Sequence, residues 1–451
     1  MSPRLLEPTS PEDTSRERGV ILVLVLILLV AVTALALTLA QEARVEVAVA
    51  AQRADALKLR ALLDSAIELA MAEVRADQEE GDSLTEPWRD DQARFAELQL
   101  EGGRIWLLLT EPDPGDGREV RYGVRDEASK LDVNLATADQ LGALPGITQE
   151  AVDGILDWRD DDDDVSEQGA EAGYYSTLDP PYTPKNAPIE SLDELLRIRG
   201  IDAAMLYGED RNRNGLLDPG EDDADGSFPP DDADGFLDRG LIDYLTVFSR
   251  ELNRTKDGRA RLQWSQASGN EIQDRLTAAG ASPAYAQRVR QVKNTAGQAS
   301  TLGEILFRAG ASSREDLAAL LDQITVFEGD QVPGKINVNT CPRELLLGLG
   351  LEDEQVDAIL ERRLQPDQDL SSPAWLSEVM EFPTFAQLAD QVTTRSDQFT
   401  VQAVALLDDR PRFMRAEVLI DRSFVPVRVV IRRDLTSLGF PIPEVRGQEL
   451  P

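Results

Sequence analysis

The stretch KLDVNLATADQLGALPGITQEAVDGILDWRD, residues 130–160, decides most of the fold because it returns later in the chain. Its second occurrence is KINVNTCPRELLLGLGLEDEQVDAILERR, residues 335–363. Both copies begin with a short strand-like segment and an Asn-containing turn, and both continue as two segments with apolar residues at helical spacing. In the first copy these two segments meet at Leu144-Pro145-Gly146-Ile147, which predicts a helix-hairpin-helix.

A third, more diverged copy lies between the other two. Leu245-Thr246-Val247-Phe248 parallels Ile324-Thr325-Val326-Phe327. The segment RLQWSQAS at residues 261–268 stands where KINVNT stands in the last copy. Internal duplication explains these correspondences better than chance does, because the segments recur in the same order.

The closing helices of the copies also correspond. SLDELLRIRGI at residues 191–201 matches TLGEILFRAGA at residues 301–311. Single amphipathic helices recur by chance, but the joint order of strand, turn, helix pair and closing helix does not. The sequence therefore predicts three related units, which start near Val120, Tyr244 and Ile324.

Strand-like segments stand on both sides of the three units. RIWLLL at residues 104–109 and EVRYGV at residues 119–124 flank a turn-rich segment and predict a hairpin. Three further segments predict the last antiparallel strands, namely FTVQAVALL (399–407), FMRAEVLID (413–421) and VPVRVVIRR (425–433). The predicted fold class is α+β, with a small antiparallel sheet and a large helical insertion.

The N-terminal region contains an apolar segment of membrane length. Residues 20–40, VILVLVLILLVAVTALALTLA, carry no charge, and a helix of that length covers about 31 Å of a bilayer. Residues 41–76 continue without Pro or Gly and are rich in good helix formers, so we expect one helix of about 55 residues. An ordinary signal anchor or an uncleaved secretory signal would show the same pattern.

The composition excludes several classes of function. Asp and Glu total 83 against 46 Lys and Arg, and the resulting net charge of −37 repels a phosphate backbone. The chain has no His and one cysteine, Cys341, which excludes Ser-His-Asp and Cys-His catalysis and sites with several Cys ligands. Nothing selects a catalytic pair among the acidic residues, so we expect no enzyme. Cys341 aligns with Ala136 or Thr137 and is expected to be a small core residue.

Residues 210–221, DRNRNGLLDPGE, match the calcium-loop pattern D-x-[DN]-x-[DN]-G-x5-E at every position. In such a loop alternate oxygen atoms face one cation, a glycine permits the sharp turn, and the last carboxylate closes the site. The pattern predicts calcium as a cofactor, with these ligands: Asp210, Asn212, Asn214, Leu216 through its carbonyl, Asp218 and Glu221.

A second acidic segment follows at residues 222–241, DDADGSFPPDDADGFLDRGL. The tetrapeptide D-A-D-G occurs twice there, but neither occurrence completes the calcium pattern, because Pro230 and Leu241 occupy the first and twelfth positions of the second. An acidic chain also contains such clusters by composition, as solvated charge. The candidate ligands of a second calcium ion are Asp232, Asp234 and Asp238.

The residues before the apolar segment resemble the leader of type IV prepilins and pseudopilins. Arg16-Glu17-Arg18-Gly19 places a basic pair and a glycine directly before Val20. The resemblance implies that a prepilin peptidase cleaves after Gly19 and that the new N-terminal residue, Val20, is methylated. Most members of that family carry Glu at the fifth mature position, where this chain has Leu24. Protein K of the type II secretion system is a pseudopilin class that lacks this glutamate.

The body of the chain also resembles protein K of the type II secretion system. Residues 158–188 contain WRD, an acidic run, GAE with a following YY, PPY and an Asn-x-Pro before a helix. The resemblance covers about residues 16–434, and the middle unit looks like an addition. It implies a pilin-type body with a large inserted helical domain of SAM-like helix-hairpin-helix repeats, and calcium bound in that domain.

The patterns and the resemblance together divide the chain into segments. We expect a prepilin-type leader (1–19), a transmembrane and stalk helix (20–76), the first strands of the pseudopilin body (103–135), an inserted helical domain with the acidic calcium loop 210–241 and an extra diverged repeat (136–335), a last helical repeat (336–395) and the C-terminal strands of the body (397–434).

The resemblance implies a structural minor pseudopilin at the tip of the type II pseudopilus, which supports protein secretion across the outer membrane. The expected location is the inner membrane, with a single pass and the body in the periplasm. Expected partners are other minor pseudopilins and the prepilin peptidase, with secreted substrates as candidates.

The alternative is a membrane-anchored periplasmic helix-hairpin-helix module that binds calcium or nucleic acid, as in DNA uptake. Clustered Lys or Arg on the hairpins would favour that alternative; we find none there and expect no nucleic-acid partner.

Overall fold

The computed structural model describes residues 13–77, 81–111, 120–224, 226, 231, 233–296, 299–365, 368–443 and 445. The chain divides into two compact units, Met1–Arg60 and Ala61–Pro451. The first unit, as far as it is described, is helical and belongs to α1 (Asp13–Ala76), whose last residues are part of the second unit. From Val20 onward this helix is long and apolar enough to cross a membrane. The predicted long N-terminal helix is therefore confirmed, while residues 1–12 of the predicted leader lie outside the described residues.

The other helices lie in the second unit, and most of them are short. They are α2 (Gln92–Phe95), α3 (Ala138–Gly142), α4 (Gln149–Arg159), α5 (Ala172–Tyr175), α6 (Ala203–Tyr207), α7 (Gly269–Ala278), α8 (Pro283–Ala296), α9 (Leu302–Ala309), α10 (Arg314–Gln323), α11 (Arg343–Gly348), α12 (Asp353–Arg363) and α13 (Phe382–Leu388). Segments of 3-10 helix lie at Glu127–Ser129, Leu192–Arg197, Leu241–Asp243, Pro373–Glu378 and Thr436–Leu438.

One antiparallel sheet forms the body of the second unit and confirms the predicted α+β class. Its strands, in spatial order, are β1 (Leu98–Leu100), β2 (Gly103–Leu108), β12 (Gln398–Leu407), β13 (Phe413–Asp421) and β14 (Arg428–Asp434). A two-residue strand, β3 (Arg125–Asp126), also pairs with β12. The chain thus leaves the sheet at β3 and returns to the neighbouring strand β12, so the residues between them are an insertion.

The sheet strands agree with the sequence except at two points. Strand β14 begins at Arg428 rather than at Val425, because Pro426 has no N–H to donate to a ladder. The segment predicted to pair with β2 makes a single bridge within its described part, between Tyr122 and Leu108. The turn-rich residues 112–119 before it lie outside the described residues.

The end of α1 packs on the sheet within the second unit. Leu62, Ala66 and Ala70 recur every fourth residue along the helix and are buried. A Cβ atom on Gly103 of β2 would lie 2.5 Å from the Cδ1 atom of Leu62 and would clash with the backbone carbonyl of Leu406, so only glycine allows this close approach. The helix and the sheet therefore share one core.

Three short parallel strand pairs organise the helical insertion. They are β4 (Leu131–Asp132) with β5 (Leu245–Thr246), β7 (Leu262–Gln263) with β8 (Ile324–Thr325), and β10 (Ile336–Asn337) with β11 (Val392–Thr393). A further pair, β6 (Arg250–Leu252) with β9 (Gln331–Pro333), is antiparallel. Each parallel pair joins the strand before a helix pair to the strand after its closing helix. We call the enclosed segments module 1 (131–246), module 2 (262–325) and module 3 (336–393).

The parallel pairs correct the predicted starts of the units. The backbone N–H of Leu131 donates to the carbonyl of Tyr244 at 2.8 Å, and the N–H of Val133 donates to that of Thr246 at 2.9 Å. The strands near Tyr244 and Ile324 therefore complete the preceding module instead of opening the next one. That the helix pairs are SAM-like helix-hairpin-helix repeats stays a prediction, as do the segment boundaries.

The Asn-containing turns connect the first strand of a module to the segment before its closing helix. In module 1 the side-chain amide of Asn134 exchanges two hydrogen bonds with the backbone of Ile189, at 2.7 and 2.9 Å. In module 3 the Nδ2 atom of Asn339 donates to the carbonyl of Leu370 at 3.0 Å, and its Oδ1 atom accepts from Trp375 Nε1 at 3.0 Å. The amide side chain therefore explains why this position recurs in the sequence.

Cys341 lies in the core of module 3, at the start of its helix pair. Its side chain is fully buried, as is that of Ala136 at the corresponding position in module 1. Burial raises the pKa of the Cys341 thiol to about 12, so the thiol stays protonated and unreactive. Cys341 is thus a small core residue, as expected.

Replacing Asn339 by Ala should lower the free energy of unfolding by about 2–4 kcal/mol, because buried Trp375 Nε1 and the Leu370 carbonyl lose their partner. Thermal and denaturant unfolding of the purified protein measure the change. Asn294→Ala, at an exposed position of α8, is the matched control and should change stability by less than about 0.5 kcal/mol. Equal melting temperatures for the two variants would contradict the structural role of Asn339.

Replacing Asp132 by Asn should make stability less dependent on pH. Burial raises the pKa of Asp132 from the ordinary value of an aspartate to about 6, so between these two values the folded state binds more protons than the unfolded state. Stability from this group is therefore lost as pH rises through that window. Module 3 has Asn337 at the same position, where its Oδ1 atom accepts from the N–H of Asn339, as Asp132 accepts from that of Asn134.

Melting temperatures of the wild type and Asp132→Asn between pH 4 and pH 7 measure this effect. The variant should melt higher than the wild type at pH 7, and the difference should shrink toward pH 4. Asp132→Ala removes the acceptor as well as the charge and should be destabilised throughout. A constant difference between the wild type and Asp132→Asn over this range would rule out the proposed titration.

Candidate functional site

Residues 20–40 of α1 present a continuous apolar surface. Val20 and Leu24 are 65% and 64% exposed, and they lie one turn apart on the same face of the helix. Gly19 precedes them within the same helix. At Leu24 the chain has a hydrocarbon side chain, so this position offers no carboxylate to meet a neighbouring amino group. Cleavage at Gly19 and methylation of Val20 stay predictions.

The acidic loop 210–221 follows α6 and has the compact turn that its sequence predicts. The carboxylate of Asp210 accepts the backbone N–H groups of Asn214, at 3.0 Å, and Gly215, at 2.7 Å. Gly215 has a φ of +77°, which a side chain would disfavour. The Oδ1 atom of Asn214 accepts the N–H of Leu216 at 2.9 Å. The loop therefore folds around its first carboxylate.

The last carboxylate closes the loop from the other end. The Oε2 atom of Glu221 accepts the N–H of Asp218 at 3.0 Å, and its Oε1 atom accepts that of Asn212 at 3.4 Å. The Oδ2 atom of Asp218 accepts the side-chain amides of Asn212 and Asn214. The structure thus brings together the side chains of the predicted ligands around one turn.

The chemistry of this loop fits a hard cation. Asp210, Asn214 and Glu221 are buried, and burial raises the pKa of Glu221 to about 7. Burial, together with repulsion from Asp243, raises the pKa of Asp210 to about 6. The Oδ1 atom of Asn212 is buried and accepts a hydrogen bond from no described group. Two buried carboxylates and an unsatisfied amide oxygen are ligands that calcium accepts.

The carboxylates are not already arranged as a metal cluster. Within the part of the chain that the structure describes, no group of three or more Asp, Glu or Cys side chains is placed to hold a metal ion. The side-chain oxygens of Asp210 and Glu221 instead accept backbone N–H groups of the loop. A cation would have to share or displace these donors, so calcium binding stays a prediction.

Two buried residues of the sheet hold the loop in place, and sequence reasoning missed both. Arg415 of β13 is fully buried, and its guanidinium donates to the carbonyl of Asn212 at 2.8 Å and to that of Arg213. Gln402 of β12 donates to the carbonyl of Arg213 at 3.0 Å. The signal available in the sequence was Arg415 itself, an Arg at an inward-facing position of a predicted strand. The loop is thereby tied to the central strands of the sheet.

The candidate second calcium site is not assembled among the described residues. Asp232 lies outside them. The Oδ1 atom of Asp234 accepts the N–H of Phe236 at 2.8 Å, while the backbone N–H of Asp238 donates to the carboxylate of Glu209 at 3.0 Å. Asp234 and Asp238 thus have different neighbours in these contacts, and the second site stays a prediction.

Glu171 in the GAE motif is a buried carboxylate that sequence reasoning did not single out as a site. Both of its carboxylate oxygens are buried and accept no hydrogen bond from a described group. Burial, with repulsion from Asp157 and Asp160, raises the pKa of Glu171 to about 7. Glu171 belongs to the GAE motif that contributes to the family resemblance, and keeping its carboxylate charged within module 1 costs free energy.

Comparisons with known proteins found one family model and similar solved structures. Residues 124–207, which contain α3 to α6 and the GAE motif, match the family model described as type II secretion system (T2SS), protein K. A similar solved structure is the crystal structure of the GspK-GspI-GspJ complex from the enterotoxigenic Escherichia coli type 2 secretion system. It has 14% identity and a TM-score of 0.45, with 85% of this chain and 98% of that chain covered. No curated protein matches the chain. Over residues 124–207 this chain is thus similar to protein K of the type II secretion system.

Proposed function

We propose that the chain is a structural minor pseudopilin at the tip of the type II pseudopilus, where it supports protein secretion across the outer membrane. The observation that carries the proposal is the combination of the protein K match over residues 124–207 with an exposed apolar helix at residues 20–40. Its role is assembly rather than catalysis. The apolar helix anchors the chain in the inner membrane by a single pass, with the body in the periplasm.

The insertion supports a terminal position in the fibre. All three modules are inserted between β3 and β12, so they add bulk to one small sheet. A subunit with such a body is hard to accommodate between stacked neighbours of pilin size. A position at the end of the fibre removes that restriction, because only one side of the subunit then needs to contact other pseudopilins.

The apolar helix supports the same position. After cleavage behind Gly19 by a prepilin peptidase, the amino group of Val20 is charged, and burying an unpaired ammonium costs on the order of several kcal/mol. A carboxylate at the fifth mature position would neutralise the amino group of a subunit above, but Leu24 cannot. The chain is therefore a poor acceptor for a further subunit. At the leading end of the fibre no subunit lies above it, so the missing carboxylate has no cost there.

Co-expression with the small minor pseudopilins and the prepilin peptidase of the same organism tests the proposed assembly. A pull-down should recover discrete complexes in which this chain begins at Val20 by intact mass, and electron microscopy should show no fibres of this chain alone. Leu24→Glu should allow it to be incorporated below the tip. Leu28→Glu, one turn further along the apolar helix, places the same charge at the wrong depth and is the matched control.

Fibres made by the wild-type chain alone, or no association with any small pseudopilin, would overturn the tip assignment. A mature chain that begins at Met1 would overturn the proposed processing, whatever the outcome for assembly. Equal behaviour of Leu24→Glu and Leu28→Glu would show that the missing carboxylate does not restrict the position of the chain.

We further propose that the loop 210–221 binds calcium and that binding stabilises the body. Support comes from the complete calcium-loop pattern, the buried carboxylates of Asp210 and Glu221, and the unsatisfied oxygen of Asn212. Only the folded loop presents these oxygens together, so binding favours the folded state. The carbonyl of Leu216 and the carboxylate of Asp218 complete the proposed ligand set.

Calcium should raise the melting temperature of the full-length protein in detergent relative to a chelator. The gain in stability is about 2.7 kcal/mol at a calcium concentration 100 times the Kd. Glu221→Gln should remove most of the shift, because it removes the closing carboxylate. Asp234→Asn tests the candidate second site in the same assay. An identical melting temperature with calcium and with chelator would contradict the proposal.

A further inference from the structure

The segment that follows α1 is fixed to the body by one aspartate. Asp82 is 1% exposed, and its backbone N–H donates to the carbonyl of Thr394 at 2.7 Å. Its own carbonyl accepts the side-chain amides of Asn337, at 3.2 Å, and Asn339, at 3.1 Å. Its carboxylate accepts the backbone N–H of Ser396 at 2.6 Å. The segment is thus anchored to module 3 and to the residues that lead into β12.

The charges around Asp82 are unbalanced. Arg422, directly after β13, donates to the carboxylate of Asp77 at 2.5 Å and to the two carboxylate oxygens of Asp82 at 2.7 and 2.9 Å. The carboxylate of Asp397 lies 3.9 Å from the Nε atom of Arg422. Glu86 is half-buried, and a hydrogen bond joins its carboxyl group to that of Asp77. One guanidinium therefore faces four carboxyl groups, and we call these five residues the α1-end cluster.

Four carboxylates around one guanidinium cannot all be ionised without a large cost in free energy. A hydrogen bond between the carboxyl groups of Glu86 and Asp77 requires a proton on one of them, because an ionised carboxylate only accepts. Burial, with repulsion from Asp77 and Asp82, raises the pKa of Glu86 to about 8. Burial also raises the pKa of Asp82 to about 7, although Arg422 opposes this shift. The cluster therefore holds a proton at neutral pH.

The neighbouring elements do not neutralise the cluster. The described charges that act on it most strongly from outside are those of Asp126 on β3, Glu251 on β6 and Asp421 on β13. All three are acidic. The cations beside them are already paired with them: Arg250 pairs with Asp421, and both Arg261 and Lys335 pair with Glu251. The surroundings thus add to the excess of negative charge.

We propose that the α1-end cluster is a proton-operated clamp, which fixes residues 81–88 to the body while a proton is bound and releases them when the proton leaves. Without the proton, four negative charges face one positive charge in a space largely closed to water. Moving the carboxylates of the segment into water relieves this repulsion. Arg422 already supplies the positive charge between the carboxylates, so a proton completes the cluster better than a metal ion. The inference goes beyond the proposed function, because it concerns how pH controls the attachment of the chain that follows α1.

The clamp should open as pH rises. In the released segment the carboxyl groups ionise at their ordinary pKa values of about 4. In the clamped state Glu86 keeps its proton up to about pH 8. The clamped state therefore binds more protons than the released state between these values. The ratio of released to clamped molecules should increase by up to about tenfold per pH unit for each such proton, until pH reaches the raised pKa.

Thiol labelling of the full-length protein in detergent measures the release. Ser83→Cys places a thiol at a position that is 9% exposed, and Thr85→Cys places one at an exposed position two residues later. Dividing the first alkylation rate by the second cancels the dependence of the thiol chemistry on pH. This ratio should rise by at least about tenfold between pH 6 and pH 8 and then level off. Cys341, which is fully buried in module 3, should stay unlabelled.

Glu86→Gln mimics the protonated carboxyl group, because its amide can still donate to Asp77. In this background the rise in the labelling ratio should be at least about threefold smaller than in the background with Glu86. Glu101→Gln is the matched control. It removes one exposed carboxylate between β1 and β2 and should leave the rise unchanged.

Melting temperatures give a second measure that does not depend on the introduced thiols. The difference between Glu86→Gln and the wild type should grow in favour of the variant from pH 5 to pH 8 and then level off. A difference that is constant over this range, a labelling ratio that does not change with pH, or an equal rise with Glu86 and with Glu86→Gln would overturn the proposal. Labelling of Cys341 in parallel with the introduced thiol would overturn it as well, because the body would then unfold as a whole.

Discussion

The architecture depends on one constraint, which is that both ends of the helical insertion are fixed to neighbouring positions on the sheet. Strand β3 pairs with β12, so Asp126 lies opposite Phe399. The buried carboxylate of Asp126 accepts hydrogen bonds from the side chains of Asn337, at 2.7 Å, and Thr340, at 2.6 Å, and from the backbone N–H of Ala128, at 2.6 Å. A buried carboxylate needs such donors, and here most of them come from module 3. One side chain therefore ties the start of the insertion to its last module.

Inside the molecule, Lys and Arg side chains, which are few compared with Asp and Glu, neutralise buried carboxylates. Although burial opposes ionisation, Lys335 and Arg261 lower the pKa of buried Glu251 to about 2. Glu251 also accepts the hydroxyl of Thr393 at 2.6 Å, so this ion cluster connects β6 with module 3 and with Arg261, which directly precedes module 2. The loop 210–221 is an exception to this balance. It keeps buried carboxylates with raised pKa values.

The sequence predicted well those features that depend on local periodicity. Apolar alternation located β12 and β13, and the helical spacing of residues 130–160 located α3 and α4. Sequence patterns failed to predict which strands pair when the two strands lie far apart in the chain. The strand at Leu245 has the pattern of any short strand, and only its parallel pairing with Leu131 shows that it closes module 1. Arg415 was missed because a strand pattern does not reveal which inward side chain will meet a distant loop.

The sequence by itself determined the apolar helix, the recurrence of the modules, the α+β class and the spacing of the candidate calcium ligands, because each of these depends on residues close together in the chain. Only the tertiary structure decided which strand closes each module and which buried groups hold the loop 210–221. The reason is physical. Burial and the pairing of charges depend on distances in space, and β3 and β12 are brought together across the whole insertion.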